Sequence, residues 1–263
     1  MKKNLILFFI TLFSTAHSQN RTISVAKINQ IPIDANQFLG FDSFGYYYGI
    51  KNNVFFKIKD NKSLEYKNIS LGEITYIDFQ NPLKIVVFYE NFNSIMLLDN
   101  QLNELQKINL SENEIPIIAT AVGLASQKRL WIYTNLTQQI GFFDYLKNTF
   151  LSITPPFKGT IKHYESDFNT FQWIDGELNW YSCDVFGKII TLGKVPNFDY
   201  IKIVSNHTIL FSKEGLFYFY DVEKNKMYPI ENVEKSPSNF YYKDQILSIF
   251  SNQEISNYKI TIP

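Results

Sequence analysis

Two histidines and one cysteine are the side chains best suited to acid–base or nucleophilic chemistry in this chain. His163 stands beside Glu165 and Asp167, and one imidazole with two carboxylates can bind a metal ion or exchange a proton. That group lies in a polar stretch predicted to be an exposed loop, where a solvated turn is the more common interpretation. His207 is also predicted on an exposed turn, and Cys183, with no basic neighbour, as an inert core thiol. We therefore expect no catalytic, cofactor or metal site.

Four aspartates recur after apolar segments, and carboxylates are the acids and bases of glycosidases. Asp60, Asp99, Asp144 and Asp221 are separated by 39, 45 and 77 residues, so one copy of the pattern is missing, and we expect it near Gly193. Recurrence at one position indicates architecture, because an Asp side chain can accept backbone N–H groups and favour a turn. The sequence also lacks a glycine-rich phosphate loop, a nucleophile motif and a calcium loop. An enzyme is thus not predicted.

The N-terminus predicts export. Two lysines precede an apolar run at 5–13, followed by small and polar residues, which is typical of a signal peptide at 1–18 cleaved before Gln19. No later segment approaches the roughly 20 apolar residues of a membrane helix. We expect a soluble, exported protein, periplasmic or alternatively at the cell surface or secreted.

Composition favours one β-rich domain at 19–263. Hydrophobic residues make up 45% and aromatic residues 17% of the chain, which suits pleated, half-buried surfaces. Lys plus Arg and Asp plus Glu number 25 each, and no basic stretch tracks phosphates, so nucleic acid is excluded as a partner. A single cysteine allows no internal disulfide, so stability must come from a large core.

Short apolar segments repeat with a period near 40, as in the four-stranded blades of a β-propeller. Six units are predicted, with a two-sheet β-sandwich as the alternative. The second strands are expected at 45–48, 85–89, 130–133, 178–181, 208–211 and 246–250. The third strands are expected at 54–58, 95–98, 140–143, 189–192, 216–220 and 255–260. Residues 22–28 are predicted to close the ring as the outer strand of the last blade.

One connection, at 154–167, is longer than a blade requires. Long loops on rigid scaffolds are often functional, and the proline pair should stiffen this one. The predicted contact residues for a partner are Pro155, Pro156, Phe157 and Tyr164. The tryptophans Trp131, Trp173 and Trp180 fall in predicted strands, which favours core packing over a ligand platform.

Residues 74–99 read as a strand ending in Asp, Asn-Pro, an apolar strand, Tyr-x-x-Phe-Asn, and another apolar strand ending in Asp. This stretch resembles the PorD family of periplasmic accessory proteins of the type nine (Por) secretion system. The resemblance implies a non-catalytic scaffold attached to the outer-membrane translocon through protein–protein contacts, with no cofactor. An exported propeller that binds carbohydrate or peptide remains the alternative, and a propeller hydrolase the second alternative.

Overall fold

The computed structural model describes residues 23–60, 62–112 and 116–261. The predicted signal peptide lies outside these residues. The described chain forms six four-stranded antiparallel sheets, arranged as the blades of a β-propeller. Among the described residues, no helix is long and apolar enough to cross a membrane.

Strands are numbered in chain order, and each blade runs from an inner to an outer strand. Blade 1 consists of β2 Gln37–Phe41, β3 Tyr47–Lys51, β4 Val54–Lys59 and β5 Lys62–Tyr66. Blade 2 consists of β6 Tyr76–Asp78, β7 Ile85–Tyr89, β8 Ser94–Leu98 and β9 Glu104–Asn109. Blade 3 consists of β10 Ala119–Ala125, β11 Arg129–Thr134, β12 Gln139–Asp144 and β13 Thr149–Ser152. Blade 4 consists of β14 Ile161–Ser166, β15 Thr170–Asp175, β16 Asn179–Asp184 and β17 Ile189–Lys194. Blade 5 consists of β18 Tyr200–Ile203, β19 Thr208–Lys213, β20 Leu216–Asp221 and β21 Lys226–Ile230. Blade 6 consists of β22 Asn239–Lys243, β23 Ile246–Ser251, β24 Glu254–Thr261 and, as its outer strand, the N-terminal β1 Ser24–Pro32. Three short 3-10 helices lie at Ile69–Leu71, Glu90–Phe92 and Leu110–Glu112.

The continuously apolar segments are the middle strands of blades. All residues of β7 and β8 are buried, because both faces of a blade pack against neighbouring blades. The outer strand β9, Glu-Leu-Gln-Lys-Ile-Asn, is mostly polar, and Ile108 is its only buried residue. Trp131, Trp173 and Trp180 are buried in β11, β15 and β16, which confirms their predicted role in the core.

The two ends of the described chain meet, as predicted. Strand β1 pairs antiparallel with β24, from Ser24 opposite Thr261 to Pro32 opposite Glu254, with an irregularity between Lys27 and Asn29. The ring is therefore closed by backbone pairing between β1 and β24, the outer and third strands of blade 6, which no loop connects directly.

The predicted phase of blade 4 is wrong by one strand. Residues 179–181 belong to the third strand β16, and residues 189–192 to the outer strand β17. The missing aspartate is Asp184, 40 residues after Asp144 and 37 before Asp221, rather than a position near Gly193. Its carboxylate accepts the N–H groups of Phe186 and Lys188. The error arose because the inner strand β14, Ile-Lys-His-Tyr-Glu-Ser, is too polar to be recognised as a strand.

Candidate functional site

The central channel of the propeller is filled by side chains from its inner strands. The rings of Tyr76 in blade 2 and Tyr164 in blade 4 lie 5.0 Å apart, although blade 3 separates these blades. Phe79, just after β6, lies 6.1 Å from the ring of Tyr241 in blade 6. Because side chains from non-adjacent blades touch, the described inner strands enclose a packed interior at this level.

Gly123 of β10 leaves room for side chains from blades 2 and 4. A side chain there would place its Cβ 1.9 Å from Ser166 Oγ and 3.5 Å from an Asp78 carboxylate oxygen. Asp78 is buried and accepts the N–H of Leu124 at 2.7 Å. Burial raises the pKa of Asp78, although this bond and those from Gln80 oppose the rise.

Glu165 is a charged residue of the channel with partners in two blades. It accepts hydrogen bonds from the Lys202 ammonium and, at 2.7 Å, from the N–H of Ile203, both in blade 5. His163 Nε2 lies 3.2 Å from Glu165 Oε1. Burial alone would raise the pKa of Glu165, but the Lys202 charge and the bond with His163 outweigh it and lower the pKa to about 2. The carboxylate therefore ties blade 4 to blade 5.

His163 does not lie on an exposed loop, which corrects the sequence-based expectation. It is half-buried in β14, with Phe198 at 6.3 Å in an edge-on contact. An imidazole beside a carboxylate is also the pairing used in general-base catalysis. Here the carboxylate also accepts hydrogen bonds from two donors of blade 5, so the cluster links the two blades. His207 is exposed between β18 and β19, and Cys183 is buried in the core, as predicted.

The predicted contact loop is shorter than expected. Residues 161–166 form β14, so the connection between β13 and β14 ends at Thr160. Pro155 and Pro156 are exposed, whereas Phe157 is half-buried, with its ring stacked on Trp173 at 4.9 Å. Tyr164 lies in the channel instead, and its hydroxyl is hydrogen-bonded to the backbone of Val122. The structure therefore separates Tyr164 from the loop surface, while partner contact by these residues remains a prediction.

The same rim carries a series of exposed hydrophobic side chains that sequence reasoning missed. We call it the rim arc: Ile69 (81% exposed), Phe92 (53%), Ile118 (50%), Leu136 (55%), Pro155 and Pro156. All lie in turns that enter an inner strand or join a second to a third strand, and these turns share one end of the propeller.

Successive contacts link the turns of the rim arc. A Cβ on Gly72 would lie 2.7 Å from the Phe92 ring, and the side chain of Asn93 accepts the N–H of Ala119. The N–H of Asn135 donates to Ile118 O at 2.8 Å, and that of Phe157 to Gln138 O at 3.0 Å. Neighbouring turns of the arc are thus in contact from the connection between blades 1 and 2 to the connection between blades 3 and 4.

A cavity of about 110 Å³ opens at the blade 4 end of the rim arc. It is lined by Phe157, Lys158, Gly159, Thr160, Ile161, Trp173, Asp175, Tyr181 and Ile189. Three rings of the lining form a column, with centroids 4.9 Å apart for Phe157 and Trp173 and 5.1 Å apart for Trp173 and Tyr181. Behind them, the ring of Tyr133 lies 5.2 Å from that of Phe157.

Fold and channel together define a six-bladed β-propeller with a filled centre. No family model matches the chain, and no curated protein matches its sequence. A structure of a member of the DUF4221 family from Bacteroides vulgatus has a TM-score of 0.59 at 8% identity, covering 93% of this chain and 99% of that one. The Cps50 (Swd1) propeller domain from Myceliophteria thermophila also gives 0.59 at 8% identity, covering 91% and 100%. A streptogramin B lyase gives 0.57 at 11% identity, covering 91% and 98%. At these identities the likeness shows the fold alone.

Proposed function

We propose that this chain is a non-catalytic scaffold of the periplasm that acts through protein–protein contacts at the rim arc. Its partners are components of an outer-membrane translocon of the type nine system. The leader-like N-terminus supports export, and the resemblance of residues 74–99 to PorD proteins supports this choice of partner.

The rim arc is the observation that carries the proposal. Large apolar side chains that are half or more exposed are unfavourable in water, and contiguous patches of them mark interaction sites. The arc spans turns of blades 1 to 3 and ends at the proline pair, where conformational freedom is already low. A partner that covers the arc therefore buries apolar surface with little ordering cost.

The filled channel supports the same proposal. In a propeller, the channel mouth is a natural site for a small ligand or substrate. Tyr76, Tyr164 and Tyr241 occupy that space here, and the Glu165 charge is compensated by Lys202. Recognition at the rim requires no opening of this interior.

Affinity capture from detergent-solubilised envelopes tests the proposal. The tagged mature protein should recover translocon components, and I69S/L136S should lose them. The matched control is F44S/L83S, because Phe44 and Leu83 are similarly exposed but lie in turns between inner and second strands, at the opposite end. Recovery of the bait alone, or equal losses for both variants, would refute the proposal.

A catalytic function is the second candidate, because His163, Glu165 and Lys202 lie together in the channel and one structural neighbour is a streptogramin B lyase. Incubation with a streptogramin B, followed by mass spectrometry, tests it. Turnover that disappears in H163A would favour an enzyme over the scaffold, whereas unchanged substrate is the result expected here.

A further inference from the structure

The cavity at the end of the rim arc combines an apolar wall with one fixed carboxylate. The ring column supplies the wall, and Asp175, at the end of β15, supplies the carboxylate. A cavity of about 150 Å³ holds a benzene molecule. The smaller volume of about 110 Å³ here matches a single side chain of a partner rather than a whole ligand such as a sugar chain.

The turn that follows β15 fixes the Asp175 carboxylate in place. Its Oδ1 accepts the N–H groups of Glu177 and Asn179, both at 2.9 Å, and its Oδ2 accepts the Asn179 amide at 3.0 Å. Burial alone would raise the pKa of Asp175, but the hydrogen bonds from Asn179, Glu177 and the Tyr181 hydroxyl lower it below its usual range. Asp175 is therefore ionised at neutral pH. Within the described chain, no cation lies at ion-pair distance from it.

Lys158 is the other charged residue of the lining, and it is exposed on the loop. A lysine free to turn toward solvent is a weaker guide to ligand charge than a carboxylate held in place by hydrogen bonds from Glu177, Asn179 and Tyr181. Its position predicts repulsion of an incoming cation, whereas an anionic ligand would need Lys158. The effect of removing its charge therefore has opposite signs for the two ligand classes.

We propose that this cavity receives the side chain of a lysine presented by the protein partner that covers the rim arc. The aliphatic stem contacts Phe157, Trp173 and Tyr181, and the ammonium pairs with Asp175. This inference rests on the proposed function, because the cavity opens at the end of the same arc. It adds the chemistry of the group that the partner presents.

Titration of the purified mature protein with Nα-acetyl-lysine methylamide tests the pairing directly. Trp173 lines the cavity, whereas Trp131 and Trp180 are fully buried and absent from its lining, so the change in tryptophan fluorescence reports occupancy. The norleucine and glutamate analogues serve as neutral and anionic probes. We expect the lysine probe to bind about ten- to a hundredfold more tightly than norleucine, as for a charge-assisted hydrogen bond.

Two variants and one control separate the charge from the turn. D175N should reduce lysine binding to the level of norleucine, and K158M should strengthen it about two- to fivefold. Asp99 is the matched control, because its carboxylate accepts the N–H groups of Gln101 and Asn103 and the Asn103 amide in the same pattern. D99N should leave binding unchanged.

The inference would be overturned if the lysine and norleucine probes bound equally, if the glutamate probe bound best, or if no probe bound. It would also be overturned if D99N weakened lysine binding as much as D175N does. Failure of envelope capture is separate from these outcomes. Lysine binding without a captured partner would remove the scaffold and leave the cavity as a binding site, whereas capture without lysine binding would remove only this inference.

Discussion

Replacing Glu165 with glutamine tests whether the channel cluster holds the ring together. The substitution preserves shape and leaves an acceptor for the N–H of Ile203, but it removes the charge that pairs with Lys202. Glu165 is mostly buried, with 19% of its side chain exposed, so solvent compensates little for the lost interaction.

The magnitude follows from the pKa of Glu165, which falls from 4.5 to about 2 on folding. A difference of about 2.5 units corresponds to about 3 kcal/mol of stability contributed by the charged form. For a chain of this size, each kcal/mol changes Tm by about 2–4 °C, so E165Q should melt about 6–12 °C lower at neutral pH. Because the pKa is lowered in the folded state, this contribution is complete above pH 4.5. It is lost as the pH falls toward about 2.

Thermal unfolding followed by circular dichroism, from pH 7 down to the lowest pH at which the chain folds, measures the gap between wild type and E165Q. The control is E223Q, since Glu223 is largely exposed and pairs with His207 at 3.2 Å on the surface. We expect a change of at most about 1 kcal/mol for that control. A gap for E165Q no larger than for E223Q, or a gap that does not narrow as the pH falls from 4.5, would refute the reasoning.

Three further predictions concern the fold. G123A should lower the free energy of unfolding by about 1–3 kcal/mol, because the added methyl group clashes with Ser166 Oγ. Adding S166A to G123A should recover part of that loss, and purely additive effects of the two substitutions in urea unfolding would contradict this. Removing residues 24–32 deletes the outer strand of blade 6, and a Tm unchanged by the deletion, instead of several degrees lower, would show that β1 does not close the ring. Burial raises the pKa of Cys183 to about 12, so it should react with a thiol reagent at pH 7.5 only after denaturation, and rapid labelling of the folded protein would contradict that.

The sequence predicted the blades wherever their middle strands are continuously apolar, because burial on both faces leaves that pattern. It also predicted the strand that closes the ring, which pairs with β24. The strand prediction for blade 4 was wrong because its inner strand contains the polar residues Lys162, His163 and Glu165. Their hydrogen-bond partners are revealed only by the fold. One repeated aspartate, Asp184, was consequently overlooked.

The candidate site was less predictable, because it depends on turns that are distant in sequence. The proline pair was recognised from its local composition, but Ile69, Ile118 and Leu136 are isolated apolar residues in polar turns, and nothing in their spacing predicts that they share a rim. Lys202 carried a weak signal as a lysine between two isoleucines of a strand. Its partner, Glu165, comes from another blade.

The repeated aspartates explain where function should be sought. After the third strand, Asp144 accepts the N–H groups of Leu146 and Lys147, and the turn places Tyr145 in the same buried cluster as Ile108 and Leu110 of the preceding blade. Corresponding turns in blades 2 and 5 place Leu102 with Tyr66 and Val222 against Gly193.

An aspartate repeated in this way stabilises the junction between blades, so replacing it to suit a binding partner would loosen the ring. Recognition must then depend on positions that differ from blade to blade. The rim arc occupies blades 1 to 3 and ends at a proline pair and an aromatic cavity, and both of these features occur at the start of blade 4. The opposite end also carries exposed hydrophobic side chains, at Phe44, Leu83, Leu146 and Phe186, but the proline pair and the aromatic cavity distinguish the rim at which we propose binding.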